Sequence, residues 1–327
     1  MNIVFFGTPD FARDSLKALY EAGHNIMAVV TNPDKPKGRG MKMLMSEVKE
    51  YALEKELKIY QPIKVRKNTE FIEEIKNMNP DIICVVAYGK ILPKAILDIP
   101  KLGCINVHGS LLPKYRGAAP IQWSVLNGDK ETGITTMYMD EGMDTGDMIY
   151  KEVVEIGEYE TTGELWDRLS LLGGKLLVKT VEDIEKGIAP RIKQEGEFSI
   201  APMLDREIAK IDWNEKSAEE IKNLVRGLNP FMGAYTFLKE KKIKIWKVEK
   251  ISREAFVELM PDFKEYTYRF KDIMPGTVLY ADDKKGLYVM TKDDILSIIE
   301  IQGENAKRMN IKDYLRGNKI NFCEMFE

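Results

Sequence analysis

The sequence predicts an α/β protein with a Rossmann-like, mostly parallel sheet that carries helices on both faces, followed by a smaller β-barrel. In the first half of the chain, continuous apolar runs alternate with amphipathic helical segments, which is typical of strands buried on both faces. In the last third, short segments of strand character are separated by charged turns, which favours a small barrel. The length of 327 residues suits two such domains in series.

The first elements form a β-α-β unit. A strand over 2–6 ends at Gly7, and Asp10 can cap a helix that stops near Gly23. An apolar run over 26–31 supplies the second strand. The later elements are, in order, a helix from Ser46, a short strand near Ile59, a helix over 68–77, an apolar strand over 81–87, a helix around 93–97, a strand over 104–108, a helix over 121–126, strands over 133–139 and 148–156, and a helix over 162–186.

The strand over 104–108 ends in a long segment rich in Gly and Pro, where sites commonly lie. Side chains alternate along a strand, so Cys104, Asn106 and His108 share one face. Asn106 and His108 should be about 6.6 Å apart, a spacing that suits an amide donor and an imidazole flanking one small reacting group. Cys104 would be about 13 Å from His108, too far for a thiolate and its base.

Four stretches of the sequence together resemble one protein family. They are Gly7-Thr8-Pro9-Asp10-Phe11, Asn106-x-His108, Ser110-Leu111-Leu112-Pro113-Lys114-Tyr115-Arg116-Gly117 and Asp140-Glu141-Gly142-Met143-Asp144-Thr145-Gly146. This combination resembles the folate-dependent formyltransferases, and the likeness continues into the C-terminal third. It implies transfer of a formyl group from the co-substrate 10-formyltetrahydrofolate to the α-amino group of methionine esterified to initiator tRNA. An Asn-x-His pair alone would carry almost no weight.

The resemblance also implies roles for individual residues. Asn106 would donate a hydrogen bond to the formyl oxygen, and His108 would be a second donor or the proton shuttle. Asp144 would orient the imidazole and favour its charged form. Contacts to the folate are expected from Tyr88, Ser110, Leu111, Leu112 and Pro113, and no metal is expected. Without the family motif, Asn106 and His108 would be satisfied polar residues at a strand end and Asp144 a turn former.

Residues 32–45 have no periodicity, contain two prolines and two glycines, and predict a loop. Their position after a strand favours a site loop, and a solvated flexible loop is the alternative. We expect tRNA contacts from Lys35, Lys37, Arg39 and Lys42 in this loop and from Lys242, Lys244 and Lys247 in the barrel, together forming one basic surface. A solvated strand face is the alternative for the barrel lysines.

The expected domains are a formyltransferase catalytic domain over 1–188, a linker over 189–206 and a C-terminal tRNA-binding domain over 207–327. In the linker, Ile200-Ala201-Pro202-Met203 stands where the family pattern has Tyr-Ala-Pro-Lys, which removes a charge. The last domain should contain a helix over 217–227 and strands over 234–238, 242–251, 277–280, 286–290 and 295–302, with 252–273 as an insertion. The resemblance implies that this barrel is oligonucleotide-binding-like.

Composition sets further expectations. With 49 basic and 52 acidic residues the net charge is −3, so any RNA contact must depend on local clusters. Three cysteines without a Cys-x-x-Cys pattern indicate neither a disulfide framework nor a zinc site. No apolar run reaches the ~20 residues of a membrane span, and Gly7 follows too soon for a signal peptide. We expect a cytoplasmic monomer without membrane contact.

Other functions fit the sequence less well. Gly7-Thr8-Pro9-Asp10 lacks the Gly-x-Gly-x-x-Gly pattern of dinucleotide sites, and residues 140–144 lack the spacing of a calcium loop. A formyltransferase for glycinamide ribonucleotide or an amino sugar, and a formyltetrahydrofolate hydrolase, stay open. An RNA-binding module without catalysis is disfavoured because Asn106, His108 and Asp144 are all present.

Overall fold

The chain forms two compact units in the computed structural model, which describes residues 1–37, 42–263, 270 and 272–327. The first unit comprises Met1–Ile121, Glu131–Glu155 and Glu164–Met203, and the second comprises Gln122–Lys130, Ile156–Gly163 and Leu204–Glu327. Two short segments from the first half of the chain therefore group with the C-terminal unit. The expected boundaries at residues 188 and 206 stay a prediction.

Residues 1–203 contain the alternating strands and helices that the sequence predicts. The strands are β1 Asn2–Gly7, β2 Asn25–Val30, β3 Lys35–Lys37, β4 Lys42–Leu44, β5 Ile59–Tyr60, β6 Ile82–Val86, β7 Cys104–His108, β8 Arg116–Gly117, β9 Glu131–Tyr138, β10 Met148–Glu155 and β11 Ile200–Ala201. The helices are α1 Asp10–Glu21, α2 Glu47–Glu54, α3 Thr69–Met78, α4 Lys94–Leu97, α5 Pro120–Leu126 and α6 Thr162–Glu185.

The central sheet of the first unit has seven strands in the order β10-β9-β7-β6-β1-β2-β5. The five strands from β7 to β5 are parallel, whereas β9 and β10 are antiparallel to their neighbours. Every residue of β6 is buried, as expected for a strand covered on both faces. The carboxyl ends of β1, β6 and β7 consequently meet at one edge of the sheet, where ligands of such folds bind.

Helices cover both faces of this sheet. On one face, Phe6 of β1 packs in a cluster with Phe71 of α3 and Ile96 of α4. On the other face, α6 approaches β7 so closely that a Cβ added at Gly173 would lie 3.1 Å from Val107. The predicted α/β class of the first unit is confirmed.

The prediction of a loop over 32–45 is wrong for part of that segment. Lys35 pairs with Leu44 and Pro36 with Met43, so β3 and β4 form a two-stranded antiparallel ribbon. Pro36 is tolerated because each strand of such a ribbon has an outer edge that needs no N–H donor. The prolines and the absence of clear alternation concealed this ribbon in the sequence.

The second unit contains an antiparallel sheet. Its elements are a 3₁₀ helix at Glu207–Ala209, α7 Ala218–Gly227, β12 Ala234–Leu238, β13 Lys241–Ile251, α8 Arg253–Leu259, β14 Val278–Asp282, β15 Gly286–Met290, β16 Ile295–Gln302, β17 Met309–Asn310 and α9 Ile311–Gly317. The strand order is β12-β13-β16-β15-β14, with β17 beside β16. The predicted C-terminal domain of β-strands is confirmed, and α8 lies in the segment expected to be an insertion.

The C-terminal residues link the two edge strands of this sheet. Glu327 exchanges two backbone hydrogen bonds of 2.9 Å with Phe237 of β12. On the opposite edge, Val278 N–H donates to the Glu324 carbonyl at 2.8 Å, and Phe326 N–H donates to the Gly276 carbonyl at 2.9 Å. The strand order leaves the sheet open, and the C-terminal segment hydrogen-bonds to both of its edge strands. The closed barrel stays a prediction.

A buried arginine ties residues 156–163 into the second unit. Arg226 of α7 is 8% exposed, and its Nη1 donates to the carbonyls of Gly157 at 3.0 Å and Glu160 at 3.2 Å. Its Nε donates to Asn223 Oδ1 at 2.8 Å. Burial lowers the pKa of Arg226 from its ordinary value. These bonds explain why a segment that precedes α6 belongs with the C-terminal sheet.

Candidate active site

Three side chains meet beyond the carboxyl end of β7. Asn106 Nδ2 lies 3.5 Å from Asp144 Oδ1, and His108 Nδ1 lies 3.7 Å from Asp144 Oδ2. His108 is 5% exposed, so its imidazole is largely shielded from water. The structure thus brings together the three residues expected to be catalytic, with one carboxylate facing both the amide and the imidazole. Their roles in a reaction stay a prediction.

The turn after β9 places Asp144. Asp140 Oδ1 accepts hydrogen bonds from Gly142 N–H at 3.0 Å and from the Thr145 hydroxyl at 2.7 Å, which shapes the turn. Asp144 has a φ of 55°, a left-handed conformation that aspartate tolerates better than most residues. Gly117 N–H donates to Asp144 Oδ2 at 2.9 Å. The carboxylate is therefore fixed by the loop that follows β7.

The second ring nitrogen of His108 also has a partner. Its Nε2 lies 2.9 Å from the carbonyl oxygen of Tyr115. Because a carbonyl can only accept, we assign the hydrogen of this bond to Nε2. Tyr115 has a φ of 61°, so the backbone that presents this carbonyl is itself in the left-handed region. In the described structure the Tyr115 carbonyl is therefore the hydrogen-bond partner of Nε2.

The loop after β7 is supported by a segment expected to be part of the linker. β8 pairs with β11 in parallel, and Tyr115 N–H donates to the Ser199 hydroxyl at 2.9 Å. Gly117 has a φ of 123°, and a Cβ there would lie 2.7 Å from the Ala201 carbonyl oxygen, so only glycine fits. Residues 199–201 consequently form part of the wall that holds Tyr115 and Gly117.

Gln194 is a site residue that the sequence analysis missed. Its Nε2 donates to the carbonyls of Asp144 at 2.8 Å and Gly146 at 2.9 Å. Its Oε1 accepts from Arg116 Nε at 3.0 Å and Nη2 at 2.8 Å. Gln194 lies in a stretch without periodicity or a family motif, so the sequence offered no signal for this role.

The residues expected to contact folate differ in exposure. Ser110 and Leu112 are fully buried, and Leu112 packs with Met137 and Met148. The Ser110 hydroxyl donates to the Lys114 carbonyl at 2.6 Å, which stabilises the turn. Leu111 and Pro113 are half-buried. The segment therefore anchors itself through alternate residues and leaves the others partly accessible.

Tyr88, the remaining residue expected to contact folate, follows β6. It is 2% exposed, and its ring packs edge-on against Phe6 at a centroid distance of 5.2 Å. Its hydroxyl has no hydrogen-bond partner among the described residues, and burial raises the pKa of Tyr88 to about 12. The ring thus contributes to the core, with an unsatisfied polar atom at its tip.

The lysines expected to contact tRNA differ in their surroundings. Lys242 is exposed, with its Nζ 3.5 Å from the centroid of the Tyr235 ring, whereas Lys244 is half-buried and its Nζ donates to the Met232 carbonyl at 2.7 Å. Burial lowers the pKa of Lys244. Lys247 is exposed and lies opposite Glu300 of β16.

The other predicted tRNA contacts lie on or near the β3–β4 ribbon. Lys35 is exposed on β3. Lys37 and Lys42 are placed by their backbone in β3 and β4, and Arg39 lies outside the described residues.

The described part of the chain contains neither a metal-binding cluster nor a membrane-spanning helix. In residues 1–37, 42–263, 270 and 272–327, no group of three His, Cys, Asp or Glu side chains could hold a metal ion. None of the helices described in these ranges is long and apolar enough to cross a membrane.

Comparison with known proteins covers nearly the whole chain. Methionyl-tRNA formyltransferase of Clostridioides difficile (strain 630) is 50% identical over 321 residues, which cover 98% of this chain and 98% of that protein. Methionyl-tRNA formyltransferase of Ruminiclostridium cellulolyticum is 47% identical over 325 residues, with 99% of both chains covered. The solved structure of WlaRD, a sugar 3N-formyl transferase, in the presence of dTDP and 5-N-formyl-THF, is similar with a TM-score of 0.63 at 20% identity, covering 91% of this chain and 97% of that chain. That likeness shows the fold.

Family models match both parts of the sequence. The formyl transferase model matches residues 1–181, and the model of the formyl transferase C-terminal domain matches residues 203–319. The first of these matches covers more than half of the chain, and it includes Asn106, His108 and Asp144. The chain therefore belongs to the formyl transferase family.

Proposed function

We propose that this protein transfers a formyl group from 10-formyltetrahydrofolate to the α-amino group of methionine on initiator tRNA, yielding N-formylmethionyl-tRNA for translation initiation. The observation that supports it most is the meeting of Asn106, His108 and Asp144 in a chain about half identical to methionyl-tRNA formyltransferases along its whole length. We propose further that it acts as a monomer in the cytoplasm.

Asn106 is the proposed stabiliser of developing charge. 10-Formyltetrahydrofolate supplies the formyl group, and attack by an amine places negative charge on the formyl oxygen. The Asn106 amide has two hydrogens, and its contact with Asp144 Oδ1 at 3.5 Å engages only one of them. The second hydrogen is available for the formyl oxygen. β7 holds this amide in place before the reaction, so little reorganisation is needed.

His108 is the proposed proton shuttle, with Asp144 as its partner. The attacking amine must lose a proton, and Nε2 can accept it once the Tyr115 carbonyl has moved away. Asp144 faces Nδ1 at 3.7 Å, and a carboxylate there favours the tautomer that carries its proton on Nδ1. That tautomer leaves the Nε2 lone pair free. In the described structure the Tyr115 carbonyl holds the hydrogen on Nε2, and Asp144 would favour the Nδ1 tautomer only after that carbonyl has moved.

The folate is proposed to bind along residues 110–113. Leu112 anchors this segment in the core, and Leu111 and Pro113 present partly accessible apolar surface that suits a flat pterin ring. Ser110 and Leu112 would contribute through their backbone, because their side chains are buried. The unsatisfied Tyr88 hydroxyl also fits a site for a ligand with polar ring atoms.

A formyl-transfer assay with competing acceptors tests the proposed function. With 10-formyltetrahydrofolate as donor, we expect formylation of methionyl-tRNA, and no measurable formylation of free methionine, glycinamide ribonucleotide or an amino sugar. Release of formate without an acceptor would indicate the hydrolase instead. Turnover of one of the small acceptors in preference to methionyl-tRNA would overturn the proposal.

We propose that tRNA binding involves Lys35, Lys37, Arg39 and Lys42 in the first unit and Lys242 and Lys247 in the second. Lys244, which is half-buried and donates to the Met232 carbonyl, is proposed to stabilise the fold instead. The surroundings of the barrel lysines allow a discriminating test. Lys242→Ala should lower the affinity for tRNA and reduce the slope of log Kd against log salt by about 0.7 to 0.9, the value for one lost phosphate contact. Binding titrations across a salt series measure both quantities.

Lys244→Met is the matched control for that test. Because Lys244 donates to the Met232 carbonyl, its loss should lower the thermal unfolding temperature and change the salt slope little. A Lys242→Ala variant with an unchanged slope would remove Lys242 from the tRNA surface.

A further inference from the structure

We propose that Gln194 is a positioning residue for formyl transfer, and that it acts by fixing Asp144 against the loop after β7. This inference rests on the proposed function, in which Asp144 orients His108. Gln194 lies between the two regions that the family models match, residues 1–181 and 203–319. The sequence predicts a linker there. None of its hydrogen bonds in the described structure goes to Asn106 or His108, and its direct bond within the proposed catalytic group is to Asp144.

The amide of Gln194 is fully used in joining two segments. Both hydrogens of Nε2 are donated, to the carbonyls of Asp144 and Gly146, and both acceptor positions of Oε1 are taken by the Arg116 guanidinium. The orientation of the amide is unambiguous, because carbonyls only accept and a guanidinium only donates. A side chain with only donors or only acceptors cannot replace it.

These bonds close a ring around the Asp144 carboxylate. Gln194 Nε2 donates to the Asp144 carbonyl at 2.8 Å, and Gln194 Oε1 accepts from the Arg116 guanidinium. The next residue, Gly117, donates its N–H to Asp144 Oδ2 at 2.9 Å. Hydrogen bonds therefore connect both the backbone and the carboxylate of Asp144 to the same loop, the one that follows β7. The left-handed φ of Asp144 is a strained conformation that needs such support.

Arg116 is itself held from the same stretch that contains Gln194. The guanidinium carbon of Arg116 lies 4.7 Å from the centroid of the Phe198 ring. The backbone N–H of Arg116 donates to the Ser199 carbonyl at 2.8 Å. Arg116 thus has partners besides Gln194, so loss of Gln194 would release mainly the Asp144 side. A displacement of about 1 Å at a reacting group can cost on the order of 10²-fold in rate.

The test compares Gln194→Met with wild type in steady-state formylation of methionyl-tRNA. Methionine has a similar length but neither donates nor accepts strongly, so we expect kcat to fall by about tenfold or more, with each KM changed by less than about threefold. Gln302→Met is the matched control, because Gln302 also bridges two groups, Trp246 Nε1 and the Ala306 carbonyl, in the second unit. Its kcat should stay within about twofold of wild type.

A double-mutant cycle separates positioning from a general structural role. If Gln194 acts through Asp144, adding Gln194→Met to Asp144→Asn should lower kcat by less than a further factor of about two. Multiplication of the two single effects, or a wild-type kcat for Gln194→Met, would overturn this inference alone. A wild-type kcat for Asp144→Asn would overturn the proposed site as well.

Thermal unfolding of every variant shows whether it folds. If Gln194→Met does not fold, Gln194→Glu takes its place in the same cycle. That variant keeps the acceptor for Arg116 but faces the carbonyls of Asp144 and Gly146 with a group that cannot donate when ionised. Gln194→Glu should lower kcat clearly when Asp144 is present and only slightly when it is combined with Asp144→Asn. Multiplication of the two single effects, or a wild-type kcat for Gln194→Glu, would contradict the inference.

Discussion

His108→Ala should lower kcat for formylation of methionyl-tRNA by about 10²- to 10⁴-fold at saturating substrates, the range typical of losing a positioned acid or base. The proton of the attacking amine would then have to pass to water. The imidazole lies between Asp144 and the Tyr115 carbonyl, and a water molecule in the space it leaves would be a much weaker base. Binding of folate should change little, because the effect is confined to the transition state.

The chain provides a matched control for this experiment, since it contains only two histidines. His24 follows α1, and its Nδ1 lies 3.5 Å from the amino group of Met1. His24→Ala should keep kcat within about twofold of wild type, as expected for a distant site. Near-normal turnover in His108→Ala would exclude the imidazole as the proton shuttle.

Asn106→Ala should lower kcat by about 10²- to 10³-fold, the usual effect of removing one donor to a developing oxyanion. Removal of the amide also leaves Asp144 Oδ1 without its contact at 3.5 Å. Steady-state kinetics should therefore show a large fall in kcat with a small change in the folate KM. Thermal unfolding should show an intact fold, because Asn106 is not fully buried.

Asn25→Ala is the control for Asn106→Ala. Asn25 is exposed at the start of β2, and its amide donates to Asn2 Oδ1 at 2.8 Å. We expect it to retain wild-type kinetics. A loss of folate affinity in Asn106→Ala as large as its loss of kcat would indicate that the amide binds the ground state, and would contradict its assigned role.

The fold was predictable where the local signal was strong. The helix α1 begins at Asp10 and ends just before Gly23, close to the predicted bounds, but the predicted capping by Asp10 is wrong, because the N-cap is Pro9 and no side chain of the described residues caps the helix. The buried strand β6 was evident from its continuous apolar run. The β3–β4 ribbon was not predictable, since Pro36 is a strand breaker and the two strands have only three residues each.

The candidate site was predictable only in part. Asn106 and His108 are two residues apart on one strand, so strand geometry alone places them on the same face. Asp144 could be added only through the family motif, because nothing local indicates that its turn returns to β7. Gln194 is 78 residues from Arg116, and no periodicity connects them. A hydrogen-bond network of this kind is a property of the folded chain.

The last five residues of the sequence affect how the second unit can be approached. Main-chain groups of Glu327 occupy the edge of β12 beside Phe237, and those of Cys323, Glu324 and Phe326 occupy the edge next to β14. A peptide or a second chain that adds itself as an extra strand needs unpaired main-chain groups along such an edge. Because these positions are already paired, strand addition is disfavoured at both edges. Main-chain pairing by a partner is thus blocked beside Phe237 and Val278, where recognition would have to use side chains.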